Sequence, residues 1–558
     1  MARALSEQAL DRAPDGTETT KLLEAALRED PTFYPAKIGL AFLLGLKGDF
    51  NHLTQTQSLI EELPIEDLEE QLTQDELRLL SICFRMVGDS KKSASFGAMA
   101  VQKSSADAST KRFLSILEKL KGLPSILGEQ REAKISVEKF EADLAELSKC
   151  ALPASAFKSI VLESLLEANN FYLPYLTNLD KELSNGFYNV IRGLNFDLFD
   201  GARIPTRKLC VLSNFKSHNE VFIFNFLKEI LSDPTWEVDF VNIGERGVLR
   251  SFAGFIPNPD RAFDIPLSTR NFDGFVGHLR AKKYGAVFFP EVGMSAMSRF
   301  VSFHRFAPIQ FTSWMHPTTT GSPQVDLFFS GKEMEPLSAE SAYTEEVVFL
   351  PGVGQQFGLT QPSVLPNRAD VKFGRVVCIQ SAFKIQPYFD EWLDLIADFP
   401  SVDEIVLINP IQPHHSRVMR SRMQKLRNNG KISFVPRMQR TELAAFLSKS
   451  GVALDLPNWS GGNTTVDCFK QCLPVIAFEG EVMRARHTLG MYRIMGLEEQ
   501  LVAKDQAAYL RLVEVLTRDP TLNSALRFEI AKKIPRLYES GFESQRALRH
   551  HLNSLIPC

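Results

Sequence analysis

The 558-residue chain has little tryptophan, four residues in all, and its seven cysteines (Cys83, Cys150, Cys210, Cys378, Cys468, Cys472 and Cys558) are odd in number and scattered. That pattern argues against a disulfide framework. Cys468 and Cys472 stand one helical turn apart, but a metal pair needs further Cys or His nearby, and His487 is the one close candidate. Buried reduced thiols are the simpler reading, and no metal site is assigned. No apolar run reaches the roughly 18 residues of a membrane span. The best, IGLAFLLGL over 38–46, is half as long. The first residues, MARALSEQALDRAPDG, carry no apolar signal core, which predicts a cytoplasmic protein without an anchor. A marked excess of one charge sign is missing too. Lys and Arg total 63 against 67 Asp and Glu, a net charge of −4. That balance gives no general reason to bind nucleic acid or an anionic membrane. No G-x-G-x-x-G follows the first strand of either strand series described below, and no G-x-x-x-x-G-K-[ST] occurs, which disfavours a nicotinamide or flavin site and a P-loop nucleotidase.

What is present is ordinary globular composition, 44% hydrophobic and 23% charged, with 42 Phe read as core. Periodicity divides it. From about 17 to 195 the apolar spacing is helical. TKLLEAALREDPTFYPAKIGLAFLLGLKGDF (20–50) reads as helix, Asp-Pro break, helix, Gly-Asp turn, which resembles a tetratricopeptide unit. Further helices are expected at 55–63, 73–88, 91–103, 108–120, 136–149 and 155–168 without a clean 34-residue period, so an irregular helical domain is the alternative. NFDLFDGARIPTR (195–207) reads as a linker. Beyond it, apolar strands alternate with helices in two series joined by QPSVLPNRAD (361–370). Such alternation predicts two parallel, doubly wound sheets with ligands beyond their carboxyl ends. SQRALRHHLNSLI (544–556) is expected as a helix packing back across the lobes.

Four polar loops at strand ends carry the candidate chemistry. In DLPNWSGGNTTVDCFKQC (455–472) a strand ends, Ser460, Gly461 and Gly462 form a tight loop, and Asn463, Thr464 and Thr465 open a helix. Glycines admit close approach, Asn or Thr is expected as the cap, and first-turn amides favour a phosphate. The alternative is an ordinary capped strand–helix turn. In CIQSAFKIQP (378–387), Gln380, Ser381 and Lys384 follow a strand of the same half, and a lysine there can stabilise a leaving diphosphate; a lone lysine is otherwise a solvated charge. His218, in LSNFKSHNEV (212–221), lies in the first strand-to-helix loop and can act as base or positioner, or merely cap the helix. His316, Thr318, Thr319 and Thr320, after a strand of the same half, can touch acceptor or sugar. Two loops from each half converging on one cleft are harder to ascribe to coincidence than any one of them. No Asp-x-Asp occurs, which disfavours the metal-dependent GT-A sugar-nucleotide enzymes, so a diphosphate's charge would fall to Lys384, Arg486 and helix amides.

At these residues the sequence resembles glycosyltransferase family 41, which holds the O-GlcNAc transferases, their bacterial tetratricopeptide-linked relatives and the adhesin asparagine glucosyltransferases. The matched pieces, in family order, are SNFKSH (213–218), FFPEVGM (288–294), RFAPIQ (305–310), HPTTTG (316–321), FKIQP (383–387), LDLPNWSGGNTTVD (454–467) and FEGEVMRARHTLGMYRIMGL (478–497). The resemblance implies an α/β GT-B fold of two doubly wound Rossmann-like domains preceded by an all-α, tetratricopeptide-like domain. Its expected boundaries are 1–195 for the helices, 206–360 for the acceptor-side lobe, 370–540 for the UDP-sugar lobe and 541–558 for a C-terminal helix. It implies metal-independent, inverting transfer from a UDP-sugar with no cofactor. Lys384 matches the lysine on the diphosphate, and Thr464, Thr465 and Asp467 the donor-binding positions, with Asp467 on ribose. His218 matches the active-site histidine, Arg486 an arginine after the Gly-Glu turn, and Glu291 falls in the FFPEVGM piece among the acceptor or sugar contacts. The chain departs from the eukaryotic enzymes at Phe222, where they carry a second His, near Leu443, where they place a His in the uracil region, and at Asn463, where they carry a His before the Thr pair. Pocket residues choose the sugar, so UDP-GlcNAc and UDP-glucose both stand as donors. The acceptor expected is Ser or Thr of a protein, with Asn as the alternative. A non-catalytic GT-B scaffold and a sugar-nucleotide epimerase or hydrolase of similar fold are the other classes.

Overall fold

The computed structural model describes residues 16–65, 70–151, 153, 158–168, 170–194, 206–216, 220–357 and 365–557. Contacts divide the chain into two compact units, 1–164 with 409–424, and 165–408 with 425–558.

The first unit is helical. Helices α1 (Gly16–Glu29), α2 (Tyr34–Leu46), α3 (Phe50–Glu61), α4 (Gln74–Val87), α5 (Ser90–Gln102), α6 (Ala108–Leu120) and α7 (Arg131–Leu147) each pack on the next, a tetratricopeptide-like stack. Local chemistry punctuates it. Asp49 caps α3 by accepting from the His52 N–H at 3.1 Å, and Asp107 caps α6 through the Thr110 N–H at 2.9 Å. Thr73 and Glu76 form a reciprocal capping box at the start of α4, and Gly88, at φ 93°, closes it in the left-handed conformation. Ile38, Leu77, Leu80, Cys83 and Phe84 are buried between the helices. A helix over Pro413–Gln424 belongs to this unit although it lies between two strands of the second. His415 Nε2 meets Ser125 Oγ at 2.7 Å, and Arg422 donates to the Leu127 carbonyl at 3.2 Å. This differs from the expected domain boundaries, which gave 409–424 to the UDP-sugar lobe and ran the helical domain to 195. A crossover helix carrying buried polar side chains looks the same in sequence wherever it packs.

The second unit includes the helices α8 (Leu173–Leu176), α9 (Asp180–Gly193), α10 (Glu220–Leu231) and α11 (Tyr388–Asp398). Strands β1 (Lys208–Ser213), β2 (Glu237–Asn242), β3 (Ala262–Asp264), β4 (Ala286–Phe289), β5 (Ile309–Ser313), β6 (Leu327–Gly331) and β7 (Glu346–Leu350) form a seven-stranded sheet in the order β3-β2-β1-β4-β5-β6-β7. Strands β8 (Lys372–Cys378), β9 (Glu404–Ile408), β10 (Ile432–Val435), β11 (Ser450–Leu454), β12 (Val475–Phe478) and β13 (Val502–Ala503) form a six-stranded sheet in the order β10-β9-β8-β11-β12-β13. All pairings are parallel. Near-continuous apolar strands are what sheets covered on both faces require. The chain therefore has the α/β GT-B fold with a helical, tetratricopeptide-like N-terminal region. The sequence reading missed β3 and β13, which at three and two residues are too short to show a period.

Phenylalanine fills the first sheet's core. Phe288 and Phe311 stack at 4.9 Å, Phe226 lies 5.3 Å from Phe288, and Phe329 meets Phe311 edge-on at 5.4 Å. The C-terminal helix is longer than expected. It is one helix over Pro520–Leu555, 36 residues and hence ~54 Å, where a separate element from 541 was expected. At one end Asn523 donates to the Gly451 carbonyl at 3.0 Å in the second sheet. At the other, Ser544 donates to the Pro351 carbonyl at 2.6 Å and Asn553 accepts from the Trp236 indole at 2.7 Å, both in the first lobe. It crosses both lobes, as anticipated. Phe311 is fully buried between strands and helices. Phe311→Ala should lower stability by about 3–5 kcal/mol in urea unfolding; a loss under ~1 kcal/mol would mean the sheet core collapses around the gap.

Candidate functional site

Strand order reverses between β1 and β4 in one sheet and between β8 and β11 in the other. Crossovers leave such neighbours toward opposite faces, opening a crevice at the carboxyl ends. One cavity of about 560 Å³ draws on both crevices. The first lobe supplies Asn214 and Phe215 after β1, Glu291 after β4, and Trp314 and His316 after β5. The second supplies Ser381, Phe383 and Lys384 after β8, and Trp459, Ser460, Gly462, Asn463 and Thr464 after β11. The volume suits a small organic ligand.

Lys384 ends a 3₁₀ turn over Ala382–Lys384. It is half-buried, its ammonium is 3.4 Å from Gln380 Oε1, and it lies 5.9 Å from the Trp459 ring centre. Burial pulls its ammonium down from the ordinary 10.5 to about 8, against the nearby Asp455, which favours the proton. Gln380 also donates to Thr464 Oγ1 at 3.1 Å and to Asp455 Oδ1 at 3.3 Å, so it links the two loops of the second lobe.

The glycine loop is held from below by Asp455. Its carboxylate accepts from the Gly461 N–H at 2.7 Å and from Ser460 Oγ. A Cβ on Gly461 would come within 2.4 Å of Gln380 Nε2 and 2.5 Å of Thr464 Oγ1, so this position has no room for a side chain. Helix α12 (Asn463–Lys470) starts on Gly462, which offers no side-chain cap. The expected Asn or Thr cap is therefore not the arrangement found. A start without a side-chain cap leaves the first-turn amides and the positive end of the helix dipole for an anion.

His316 and His487 are buried, and burial lowers both imidazoles to about 3, with Arg484 and Arg299 acting on the first and Lys384 on the second. Both rings are neutral in the physiological range. His316 Nδ1 pairs with Thr318 Oγ1 at 2.9 Å, and His487 Nδ1 with the Ser460 carbonyl at 3.2 Å. Glu291 is buried, accepts from the Asn214 N–H at 2.9 Å and from Ser298 Oγ, and burial raises its carboxyl pKa.

The expected residues thus separate. Lys384, Ser381, Gly462, Asn463, Thr464, His316 and Glu291 line the cavity. Gln380, Gly461, Thr465 and Thr318 stand behind the lining as supports, Thr465 pairing with Thr488 at 2.8 Å. Thr319 and Thr320 turn away from the cavity and hydrogen-bond Glu345, so they are framework rather than acceptor contacts. Arg486 donates to the carbonyls of Met334 at 2.9 Å and Gly480 at 2.8 Å, tying the lobes together instead of facing a phosphate. Asp467 lies along α12 outside the lining, its charge facing Lys470 and Arg440. His218 lies outside the described residues. The sequence reading missed Phe171 and Tyr175, which belong to this unit and line the cavity. Tyr175 stacks on Trp459 at 3.8 Å, and the Gln386 amide donates to its carbonyl at 2.9 Å. Arg484 pins the same segment through Asp180 at 3.1 Å. The one available signal was the aromatic density of FYLPYL (171–176).

No family model matches the chain. Over 99% of its length it is similar in fold to an O-GlcNAc transferase of Thermobaculum terrenum, solved as a point mutant, with a TM-score of 0.65, 17% identity and 96% of that chain covered. Among curated sequences it is 25% identical over 245 residues, 41% of this chain and 26% of the relative, to the "Probable UDP-N-acetylglucosamine–peptide N-acetylglucosaminyltransferase SPINDLY" of Eustoma exaltatum subsp. russellianum. It is 24% identical over 237 residues, 40% of this chain and 25% of the relative, to the protein of the same name in Arabidopsis thaliana. The matched stretch is about a quarter of the length of these curated relatives. The two likenesses, one in fold and one in sequence, bear out the resemblance to family 41.

The Lys384 ammonium should lose its proton near pH 8. In NMR of the ¹³C-methylated protein, the resonance absent from Lys384→Arg should titrate with that midpoint. A midpoint near 10.5 would contradict the burial ascribed to it.

Proposed function

We propose that the chain is an inverting, metal-independent protein glycosyltransferase. It transfers a hexose or N-acetylhexosamine from UDP-GlcNAc or UDP-glucose to Ser or Thr of a protein acceptor. The observation that carries this reading is the pairing of Lys384 with the start of α12, joined through Gln380 on one wall of a cavity that opens at both sheet reversals. The sequence likeness to enzymes named for peptide N-acetylglucosaminyl transfer supports it.

In this mechanism the diphosphate lies on the first-turn amides of α12, within reach of Lys384. The acceptor hydroxyl attacks the anomeric carbon from the face opposite the phosphate. As the new C–O bond forms, the bond to the β-phosphate oxygen breaks, and that electron pair leaves with UDP. Its charge is met by the Lys384 ammonium and the helix amides, donors in place before the reaction. The hydroxyl proton passes to a base, a role we give to His218. The protein acceptor lies along the helical stack, since such stacks present extended surfaces. No helix among the described residues is long and apolar enough to cross a membrane. With the six described cysteines free, the reading places the reaction in the reducing cytoplasm.

UDP at ~100 times its dissociation constant should stabilise the protein by about 2.7 kcal/mol, visible as a raised melting temperature, while GDP and NAD should not. Lys384→Ala should cut turnover by about 10²–10³-fold. The sugar–protein linkage should be released by alkaline β-elimination. An alkali-stable product would replace Ser or Thr with Asn, and an absence of UDP binding would overturn the enzymatic reading as a whole.

A further inference from the structure

Trp314 and His487 meet in the cavity wall, their ring centres 4.9 Å apart. Each is more than nine-tenths buried. Among the described residues neither Trp314 Nε1 nor His487 Nε2 has a hydrogen-bond partner. Leaving a polar group buried and unpaired costs about 1–3 kcal/mol, so two adjacent ones need a reason. Their roles are complementary. An indole nitrogen can only donate. His487 Nδ1 faces the Ser460 carbonyl, which can only accept, so the hydrogen of the neutral ring sits on Nδ1 and Nε2 is left as an acceptor. A hydroxyl is a group that can accept from one neighbour and donate to the next through the same oxygen.

Position says whose hydroxyl. The Trp314 ring edge lies 3.8 Å from where a Cβ of Gly462 would stand, at the start of α12, and His487 is bonded to the same glycine loop. The sugar of a nucleotide sugar hangs from the phosphate that this helix start would hold. We propose that Trp314 and His487 read one hydroxyl of the donor sugar, the indole giving it a hydrogen bond and the imidazole taking one. The proposal rests on the reading of the cavity as a UDP-sugar site and names what selects the sugar there. Neither residue belongs to the set that the sequence pointed to as donor contacts.

The test is calorimetric binding of UDP, UDP-glucose and UDP-GlcNAc to the full chain and to its Trp314→Phe and His487→Phe variants, which keep a flat ring and remove one partner each. UDP affinity should stay within about twofold, while the affinity gained from the sugar should fall by about tenfold in each variant. Unchanged sugar gain in both variants would overturn the proposal while leaving the UDP site standing. Equal loss of UDP and UDP-sugar would also overturn it, because the pair would then support the nucleotide or the fold. Failure of the unaltered protein to bind UDP would instead sink the enzymatic reading beneath it. A series of UDP-monodeoxyglucoses on the unaltered protein needs no variant to fold: one position should lose about tenfold, and no loss at any position overturns the proposal.

Discussion

Asp455, at the carboxyl end of β11, has 1% of its surface exposed. Its carboxylate nonetheless receives the Gly461 N–H, the Ser460 hydroxyl and the Gln380 amide. Its own N–H bonds the Ile476 carbonyl at 2.9 Å and its carbonyl accepts from the Tyr509 hydroxyl at 2.8 Å, so both ends of the residue are immobilised. A carboxylate this deep is costly unless each oxygen is paired. Once paired it dictates the shape of the glycine loop, the direction in which α12 sets out and the place of Gln380. Gln380 in turn reaches both Lys384 and Thr464. The geometry of the loop and of the helix start follows from one buried acid and its donors.

The second constraint is holding the lobes so that the ends of two sheets share one cavity. Long-range ties do this. The ~54 Å helix Pro520–Leu555 is bonded to the second sheet near its start and to the first lobe near its end. Arg486 and Arg493, from the helix His487–Met495 and its cap, donate to the carbonyls of Met334 and Glu333. Arg486, which the sequence offers as a diphosphate contact, is here part of the architecture. The segment 171–176 closes another side, with Tyr175 stacked on Trp459, so the cavity wall includes chain from before the first strand.

The architecture and one half of the site were legible beforehand because their signals are local. Apolar runs at strand length, glycines before a helix and a lysine just after β8 each mark a place along the chain. Strand ends in a doubly wound sheet must then face the crevice. Side-chain direction was not legible. Thr319 and Thr320 look like any polar loop residues, and only the buried Glu345 behind them explains why they turn inward. Arg484 and Arg486 are two apart in one motif, yet one holds Asp180 and the other the Met334 carbonyl. Tyr175 reaches the cavity through tertiary packing that no spacing rule encodes. His487 entered the sequence reading as a weak metal candidate, and its actual place beside Trp314 depends on the fold of a distant lobe.

The proposed donor site depends on Lys384 meeting a diphosphate. At pH 8 that lysine is about half protonated in the free protein. An adjacent anion favours the charged form, so binding should draw in about half a proton per UDP. Calorimetric titration of UDP at pH 8, in two buffers of different ionisation enthalpy, reads this directly. Uptake near that value in the unaltered protein and none in Lys384→Met is the result predicted. UDP binding with no proton uptake, or with equal uptake in both, would contradict the assignment of Lys384 to the diphosphate.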